Sequence, residues 1–386
     1  MKINFIIISF ILIGCADSDT TFHLDEEISK LELESLPSVT FPLNNISSID
    51  KVELGRMLFW DPILGGELDV ACATCHHPNF AYGDAIDLSI GTRGLGLGTH
   101  RVEGEGIDRV PRNSPTILNS AYNGLTKNHI NYNPDSAVMF WDGREQSLEE
   151  QSKKPPTSRS EMLGDFIGGQ YALEYILPRL KEIEAYVNLF SLAFPQDDNP
   201  INIKNYSKAM ATFERTLITN NSPYDQYIKG ALTALTATQK RGLLLFNGKA
   251  KCSECHSGPM LSDWSFHALG VKEHPIKELQ GGPDKGDERF DDFKFRTPSL
   301  RNISLTAPYM HNGMYATLEE VIEFHIRGRS ENPYVEKVSD LFGTVTLTKE
   351  EINELIEFMI ALEDNNFDKT IPLTVPSGLN PGGNID

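Results

Sequence analysis

Two short motifs, at residues 72–76 and 252–256, each place two cysteines three positions apart and a histidine directly after the second cysteine. This spacing lets both thiols form thioethers with the two vinyl groups of one haem, and the histidine then lies beneath the iron as an axial ligand. A zinc site would bring the pairs closer together, and a disulfide framework would not place a histidine after both. The sequence therefore predicts two covalently bound haem c groups. The predicted haem-binding residues are Cys72, Cys75, His76, Cys252, Cys255 and His256.

The two motifs have similar sequence contexts, which indicates an internal duplication. An apolar segment that contains an arginine and a glycine precedes each motif, at residues 55–59 and 241–246. Strand signals are sparse, and 386 residues, of which 40% are hydrophobic, suffice for two domains. We predict an all-α fold of two cytochrome-c-like haem domains with long loops and few strands. The predicted boundaries are 46–220 for the N-terminal haem domain and 221–386 for the C-terminal haem domain.

The N-terminus has the features of a bacterial export signal. Lys2 precedes a short apolar run, and the sequence Leu-Ile-Gly-Cys at residues 12–15 resembles a lipoprotein signal. We predict removal of residues 1–14, lipidation of Cys15 and attachment to a membrane in the periplasm. An ordinary secretory signal with a spare cysteine is the alternative. The acidic and polar residues 15–45 are predicted to form a flexible tether.

The charge balance restricts the partners of this chain. It has 35 Lys and Arg against 54 Asp and Glu, a net charge of −19. Such a surface repels the phosphate backbone of nucleic acids, so a nucleic-acid-binding function is excluded. A basic protein partner is expected instead, because an acidic surface steers its approach.

Two further segments carry a family resemblance. Phe140-Trp141-Asp142-Gly143-Arg144 lies between the motifs, and residues 296–313 read Arg-Thr-Pro-Ser-Leu-Arg-Asn and, further on, Thr-Ala-Pro-Tyr-Met-His-Asn-Gly. Over roughly residues 45–370 the chain resembles bacterial dihaem cytochrome c peroxidases and their relative MauG. The resemblance implies that the N-terminal haem meets hydrogen peroxide and that the C-terminal haem takes electrons from a small donor protein, a cytochrome c or a cupredoxin. It also allows a homodimer.

The same resemblance assigns roles to individual residues. Trp141 matches a tryptophan that relays electrons between the haems. Gln151 and Pro155 match residues on the distal side of the peroxidatic haem, and Glu161 matches the distal acid–base glutamate. A carboxylate at that place would move a proton from the inner to the outer oxygen of hydrogen peroxide.

The resemblance further implies one calcium ion between the domains. The residues that match its ligands are Asn113, Thr306 and Pro308. An amide oxygen, backbone carbonyls and waters suit such a hard cation.

The chain departs from the peroxidases near the first haem. In that family a histidine sixteen residues after the first axial histidine often caps the resting iron until the other haem is reduced. The corresponding residue is Thr92, a poor iron ligand. We therefore expect an N-terminal haem that is open without reductive activation, as in MauG. His100, in a loop that could fold back, is the alternative ligand, and His77 is expected to be structural.

A second departure concerns the C-terminal haem. Fourteen residues after the position of His311, peroxidases carry a methionine ligand and MauG carries a tyrosine, whereas this chain has His325. Helical periodicity places His325 on the buried face of a helix. We predict that it ligates the second iron, with Met310 and Met314 as competitors. A haem with two histidine ligands has a lower potential than one with histidine and methionine, which disfavours a high-potential donor.

Three functions follow from these observations. The first is a periplasmic dihaem peroxidase that reduces hydrogen peroxide to water. The second is a MauG-like enzyme that oxidises residues of a partner protein, which Thr92 favours and His325 does not. The third is a non-enzymatic dihaem electron carrier, which Gln151 and Glu161 beside an open iron disfavour.

Overall fold

The computed structural model describes residues 16–129, 132–278, 293–343 and 345–386. Within these ranges the fold is mostly helical, as predicted, and the only strands are two short antiparallel pairs. No helix in the described ranges is both long and apolar enough to cross a membrane. The predicted signal segment 1–14 and the predicted lipidation site Cys15 lie outside the described residues.

The α-helices and strands lie in the following order. The α-helices are α1 (Ala16–Ser29), α2 (Ile49–Trp60), α3 (Cys72–Cys75), α4 (Leu148–Gln151), α5 (Ala172–Lys181), α6 (Glu184–Ala193), α7 (Ile203–Glu214), α8 (Pro223–Ile228), α9 (Ala237–Asn247), α10 (Leu318–Arg327) and α11 (Lys349–Ile360). The strands are β1 (Val138–Met139), paired with β2 (Glu145–Gln146), and β3 (Phe266–His267), paired with β4 (Phe295–Arg296). A π-helical turn spans Arg159–Leu163.

The two largest hydrophobic cores belong to different parts of the chain. In the first, α2 packs against α6 and α7, with Leu58 and Phe213 fully buried between them. In the second, α9 packs against α11, with Phe246 and Phe358 in contact. Each core lies next to one Cys-x-x-Cys-His motif, so each motif is carried by its own packed group of helices.

The N-terminal segment differs from the predicted flexible tether. Helix α1 packs on α9, and Asp25 forms an ion pair of 2.7 Å with the buried Lys240 and accepts a hydrogen bond of 2.6 Å from the Tyr227 hydroxyl. Further along, the Tyr122 hydroxyl donates to the carbonyl of Pro37 at 2.8 Å. This packing differs from the predicted flexible tether at residues 23–39, because acidic and apolar side chains there have partners far away in the sequence.

The C-terminal tail, residues 366–386, returns to the N-terminal half. Phe367 and Val375 are buried in the first core. The Ser377 hydroxyl donates to the carboxylate of Asp61 at 2.6 Å. The predicted C-terminal domain, residues 221–386, therefore differs from the observed packing, because the tail contributes to the core of the N-terminal half.

Candidate active site

The first motif presents its histidine in the manner that an axial haem ligand requires. Nδ1 of His76 lies 3.0 Å from the carbonyl oxygen of Tyr82, and the Ser114 hydroxyl donates to the carbonyl of Cys75 at 2.8 Å. A histidine that donates from Nδ1 to a carbonyl has its ring orientation fixed and its Nε2 free for a metal. Burial raises the pKa of Cys75 to about 12 and that of Cys72 further still. Both cysteines are half-buried and lie in the same motif as His76.

The second motif repeats this arrangement beside a cavity. Nδ1 of His256 lies 3.0 Å from the carbonyl oxygen of Leu261. Cys252, Cys255 and His256 line a mostly apolar cavity of about 280 Å³. A buried apolar cavity with few polar groups is the usual form of a cofactor site.

His325 faces the same cavity from the opposite element, α10. Its Nδ1 lies 2.8 Å from the carbonyl oxygen of Val321, which leaves Nε2 free. The whole predicted face of α10 lines this cavity, namely Leu318, Val321, Ile322 and His325. Of the two competitors, Met310 also lines the cavity, whereas Met314 packs in the cluster around Tyr315 and Phe324.

Glu161 lies next to the first motif, in the π-helical turn Arg159–Leu163. Its charge contributes to the raised pKa values of both Cys72 and Cys75, so its carboxyl group is close to the two thiols. Burial raises the pKa of Glu161, while the Arg144 guanidinium and a hydrogen bond from Ser158 oppose this rise. A half-buried carboxyl group with a raised pKa is suited to take up and return a proton.

Gln151 and Pro155 precede Glu161 in one continuous run of turns. Gln151 ends α4, and its carbonyl accepts from the Lys154 N–H at 2.9 Å. The carbonyl of Pro155 accepts from the Ser158 N–H at 3.2 Å. The structure therefore connects both residues to Glu161 through the backbone, and a side-chain role for them stays a prediction.

Thr92 is turned away from an iron-ligating role. It is 1% exposed, and its hydroxyl donates to the carboxylate of Asp69 at 2.9 Å, while its N–H donates to the carbonyl of Glu161 at 3.0 Å. The alternative ligand, His100, is exposed at the surface. His77 is buried and accepts from the Asn79 N–H at 3.2 Å, consistent with a structural role.

Trp141 lies between the two haem-binding regions. Its indole N–H donates to the carbonyl of Asn113 at 3.0 Å, and its ring lines the cavity that contains His256. Ser114, which follows Asn113 in the chain, also lines that cavity, and its hydroxyl donates to the carbonyl of Cys75 in the first motif. Trp141 is therefore linked to the first motif through its hydrogen bond to Asn113 and through the adjoining residue, Ser114.

The three residues matched to a calcium site, Asn113, Thr306 and Pro308, all line this cavity. The Asn113 amide nitrogen donates to the carbonyls of Ile86 and Asp87, at 2.9 and 3.3 Å. A cation would be bound by the amide oxygen, which these two hydrogen bonds do not involve. Calcium binding stays a prediction.

Comparison with known proteins agrees with this geometry. The family model described as di-haem cytochrome c peroxidase matches residues 49–233. The methylamine utilization protein MauG of Methylorubrum extorquens is 32% identical over 342 residues, which cover 87% of this chain and 84% of that protein. The chain belongs to the di-haem cytochrome c peroxidase and MauG family.

Relatives named MauG and relatives named cytochrome-c peroxidase are about equally similar to this chain. The cytochrome-c peroxidase IdrP1 of Pseudomonas sp. (strain SCT) is 34% identical over 361 residues, 86% of this chain and 85% of that protein. A crystal structure titled as a MauG-like protein associated with microbial copper homeostasis superposes with a TM-score of 0.66 at 29% identity, covering 85% of this chain and 94% of that one. Family membership implies an oxidoreductase with two c-type haems.

The residues present fit two such haems. Each motif supplies two half-buried thiols and an oriented histidine, and the second motif adds the apolar cavity. Arg296 is half-buried and lines that cavity, and desolvation lowers its pKa to about 10. A guanidinium beside a haem pocket can pair with the carboxylates of that group.

The sequence analysis missed a group of charges between the two sites. Asp142 is buried and pairs with Arg112 at 2.5 Å and with Arg144 at 3.0 Å. The Arg144 guanidinium also lies over the Phe140 ring, with its carbon 3.7 Å from the ring centre. In segment 140–144, the Asp and Arg that follow the tryptophan could have indicated this ion pair from the sequence.

A second group, Cys255, Asp263 and His267, brings potential metal ligands within 4.8 Å of one another. The hydrogen bond that His267 donates to the carboxylate of Asp263 raises the pKa of His267 to about 10. Because Cys255 belongs to the haem attachment motif, this group is part of the second haem site and not a separate metal centre.

Proposed function

We propose that this protein is a dihaem c-type peroxidase that reduces hydrogen peroxide to water at the N-terminal haem, with electrons that enter through the C-terminal haem. The observation that carries the proposal is the half-buried Glu161 beside the first motif, close enough for its charge to raise the pKa values of Cys72 and Cys75. The second site has an apolar cavity and a facing histidine where the first has an acid–base group. This asymmetry supports different roles for the two haems.

At the first site the haem would supply the redox chemistry, and the protein would supply the proton transfers. Glu161, as a carboxylate, would accept a proton from one oxygen of hydrogen peroxide. It would then return that proton to the other oxygen, so that this oxygen leaves as water. Arg144 supports the first step, because its positive charge favours the ionised form of Glu161.

The first site is proposed to be open in the resting state. The Thr92 hydroxyl is occupied by Asp69 at 2.9 Å, and His100 is exposed. Neither residue is therefore placed to occupy the position that hydrogen peroxide needs.

The second site is proposed to hold its iron between His256 and His325. Both rings donate from Nδ1 to a backbone carbonyl and line one cavity. Trp141 lies between this cavity and the first motif, and its position supports a role in electron transfer between the two sites. Two histidine ligands imply a donor of low potential.

A MauG-like oxidation of a partner protein is the second candidate function. It is supported by Thr92 in place of a capping histidine and by the similarity to the MauG protein of Methylorubrum extorquens. A dihaem electron carrier is disfavoured, since a carrier has no use for the half-buried carboxyl group of Glu161.

The periplasmic location, the lipid anchor at Cys15 and one calcium ion remain parts of the proposal that rest on the sequence alone. Donor proteins that fit the charge are basic, because the chain has a net charge of −19. Metal analysis of protein purified with and without a chelator would decide between bound calcium and none.

A turnover experiment tests the proposed function. The matured protein with both haems is mixed with hydrogen peroxide and a small artificial reductant, and loss of peroxide is followed. Catalytic turnover supports the peroxidase. Absence of turnover, together with oxidised residues found by mass spectrometry in a co-incubated partner protein, would favour the MauG-like function.

A further inference from the structure

Beyond its role in the fold, the C-terminal tail contacts the first haem site directly. The Thr74 hydroxyl, which lies inside the first motif, donates to the carbonyl of Gly382 at 2.7 Å. The Asn384 N–H donates to the carbonyl of Asp69 at 2.8 Å, and the Asn384 carbonyl accepts from the Gly96 N–H at 3.0 Å. Residues 382–384 therefore join the attachment motif to the loop formed by residues 90–96.

Arg101 holds this loop from inside the protein. The side chain is buried, and its guanidinium donates to four backbone carbonyls. Three belong to the loop, and the fourth is that of Asn384 in the tail at 3.1 Å. The loop carbonyls are those of Ile90 at 2.6 Å, Gly91 at 2.7 Å and Gly96 at 2.8 Å. One guanidinium thus fixes both ends of the loop and the tail together.

The loop in turn holds the segment that contains Glu161. The Thr92 N–H donates to the Glu161 carbonyl at 3.0 Å. At Gly91 the two backbones are so close that a Cβ atom would lie 2.0 Å from the carbonyl oxygen of Ser160. On its other side the loop approaches the motif, with the carbonyl of Ile90 at 4.0 Å from Sγ of Cys75.

We propose that Arg101 and the tail residues 382–384 form a positioning unit that sets the place of Glu161 relative to the first haem attachment motif. The inference rests on the proposed function, because it assigns to Glu161 its acid–base role. Arg101 and the tail are positioning residues, since they act through the backbone of Gly91 and Thr92.

The physical reason lies in the distances that catalysis tolerates. A proton-transferring group must be within hydrogen-bond reach of its substrate, and a displacement of about 1 Å can cost roughly 100-fold in rate. The turn around Glu161 is short, so the position of its carboxyl group depends on the backbone that supports it. The hydrogen bonds from Arg101 and Asn384 supply that support.

Two variants test the positioning unit. The first ends the chain after Gly383 and so removes all three hydrogen bonds of the Asn384 backbone, with Asp69, Gly96 and Arg101. The second, Arg101→Met, removes the four guanidinium hydrogen bonds. A matched control is Ser377→Ala, which weakens the tail at Asp61, away from the loop. Should Arg101→Met not fold, the shortened chain still decides the question.

The readouts are amide hydrogen exchange, the EPR spectrum of the ferric holoprotein and kcat/KM for hydrogen peroxide. We expect the amides of Thr92 and Gly96 to exchange about tenfold faster in the shortened chain, because each lost hydrogen bond weakens the loop. The EPR signal of the first haem should split into several species, and kcat/KM should fall about tenfold. Ser377→Ala should leave all three readouts unchanged within about twofold.

Unchanged exchange and an unchanged EPR signal in the shortened chain would overturn the positioning unit. The same holds if Ser377→Ala has an equal effect, since the tail would then act only through general stability. Failure of the proposed function is distinguishable from either result. In that case the native protein shows no peroxide turnover, whereas hydrogen exchange still reports whether the tail holds the loop.

Discussion

The two haem-binding regions share one scaffold. Before the first motif, α2 crosses α7 so closely that a Cβ atom on Gly55 would lie 2.2 Å from the carbonyl oxygen of Ala209. Before the second motif, α9 crosses α11, and a Cβ on Gly242 would lie 1.9 Å from the carbonyl oxygen of Glu354. The equivalent glycines support the internal duplication that the sequence indicates.

The regions differ on the side that faces the axial histidine. Beside the first motif lie Glu161 and a loop whose Thr92 is bound to Asp69. Beside the second motif lies an apolar cavity that contains His325. Under the proposed function, the same attachment motif serves reaction at one place and electron transfer at the other, because different side chains lie beside the two motifs.

The largest expected effect concerns the acid–base group of the first region. Glu161→Gln should keep both haems attached and lower peroxide turnover by about 10²–10⁴-fold, the usual contribution of a positioned general acid–base. Steady-state assays with a small reductant measure it. Glu174→Gln, an exposed position of the same domain, is the matched control and should change nothing. Equal turnover of Glu161→Gln and native protein would remove Glu161 from the mechanism.

The next effect concerns the second region alone. His325→Ala should abolish the low-spin EPR signal of the C-terminal haem, because its sixth ligand is lost, and should leave the signal of the N-terminal haem intact. Met310→Ala is the control, since Met310 lines the same cavity. If Met310→Ala removes the low-spin signal and His325→Ala does not, the ligand is Met310.

Because the helices cross equally closely before the two motifs, an alanine in place of either glycine should lower the stability of the protein by a similar amount. Gly55→Ala and Gly242→Ala should each lower the free energy of unfolding by about 1–3 kcal/mol, because a methyl group must be forced between closely packed backbones. Gly168→Ala, where nothing lies within 4 Å of the added atom, serves as control. Chemical denaturation of the holoprotein measures all three. A loss at only one of the two crossings would show that the duplicated helices pack differently.

The smallest effect concerns pH. Burial raises the pKa of Glu161 above its ordinary value of 4.5, and Arg144 opposes this rise. Since Glu161 must be ionised to accept a proton, activity should fall as the pH drops through this raised pKa. Arg144→Gln removes the opposing cation and should move the acid limb of the kcat/KM profile to higher pH. Arg241→Gln, on the second domain, should leave it in place, and an unmoved limb in Arg144→Gln would contradict the assigned interaction.

Much of the site could be predicted because it depends on local spacing. The attachment motifs are defined within five residues, and the cavity-facing side of α10 follows from helical periodicity, which places His325 correctly on that side. The position of Glu161 could be predicted only from the family resemblance of the chain, because nothing in the surrounding sequence distinguishes this glutamate from an exposed one.

The contacts of the two termini could not be predicted. Residues 23–39 have the composition of a tether, yet Asp25 finds Lys240 and Tyr227 more than half a chain away. In the same way, Glu103 and Glu105 lie close to Arg101 in the sequence, yet the partners of its guanidinium are backbone carbonyls. Backbone acceptors leave no pattern in a sequence, so such contacts become visible only in the folded protein.

The resting-state EPR spectrum of the ferric protein tests the asymmetry of the two haem sites most directly. The account predicts one high-spin haem, at the N-terminal site where Thr92 leaves the iron open, and one low-spin haem held by His256 and His325. Two low-spin signals would contradict it, because a protein group would then close the site at which hydrogen peroxide is proposed to react.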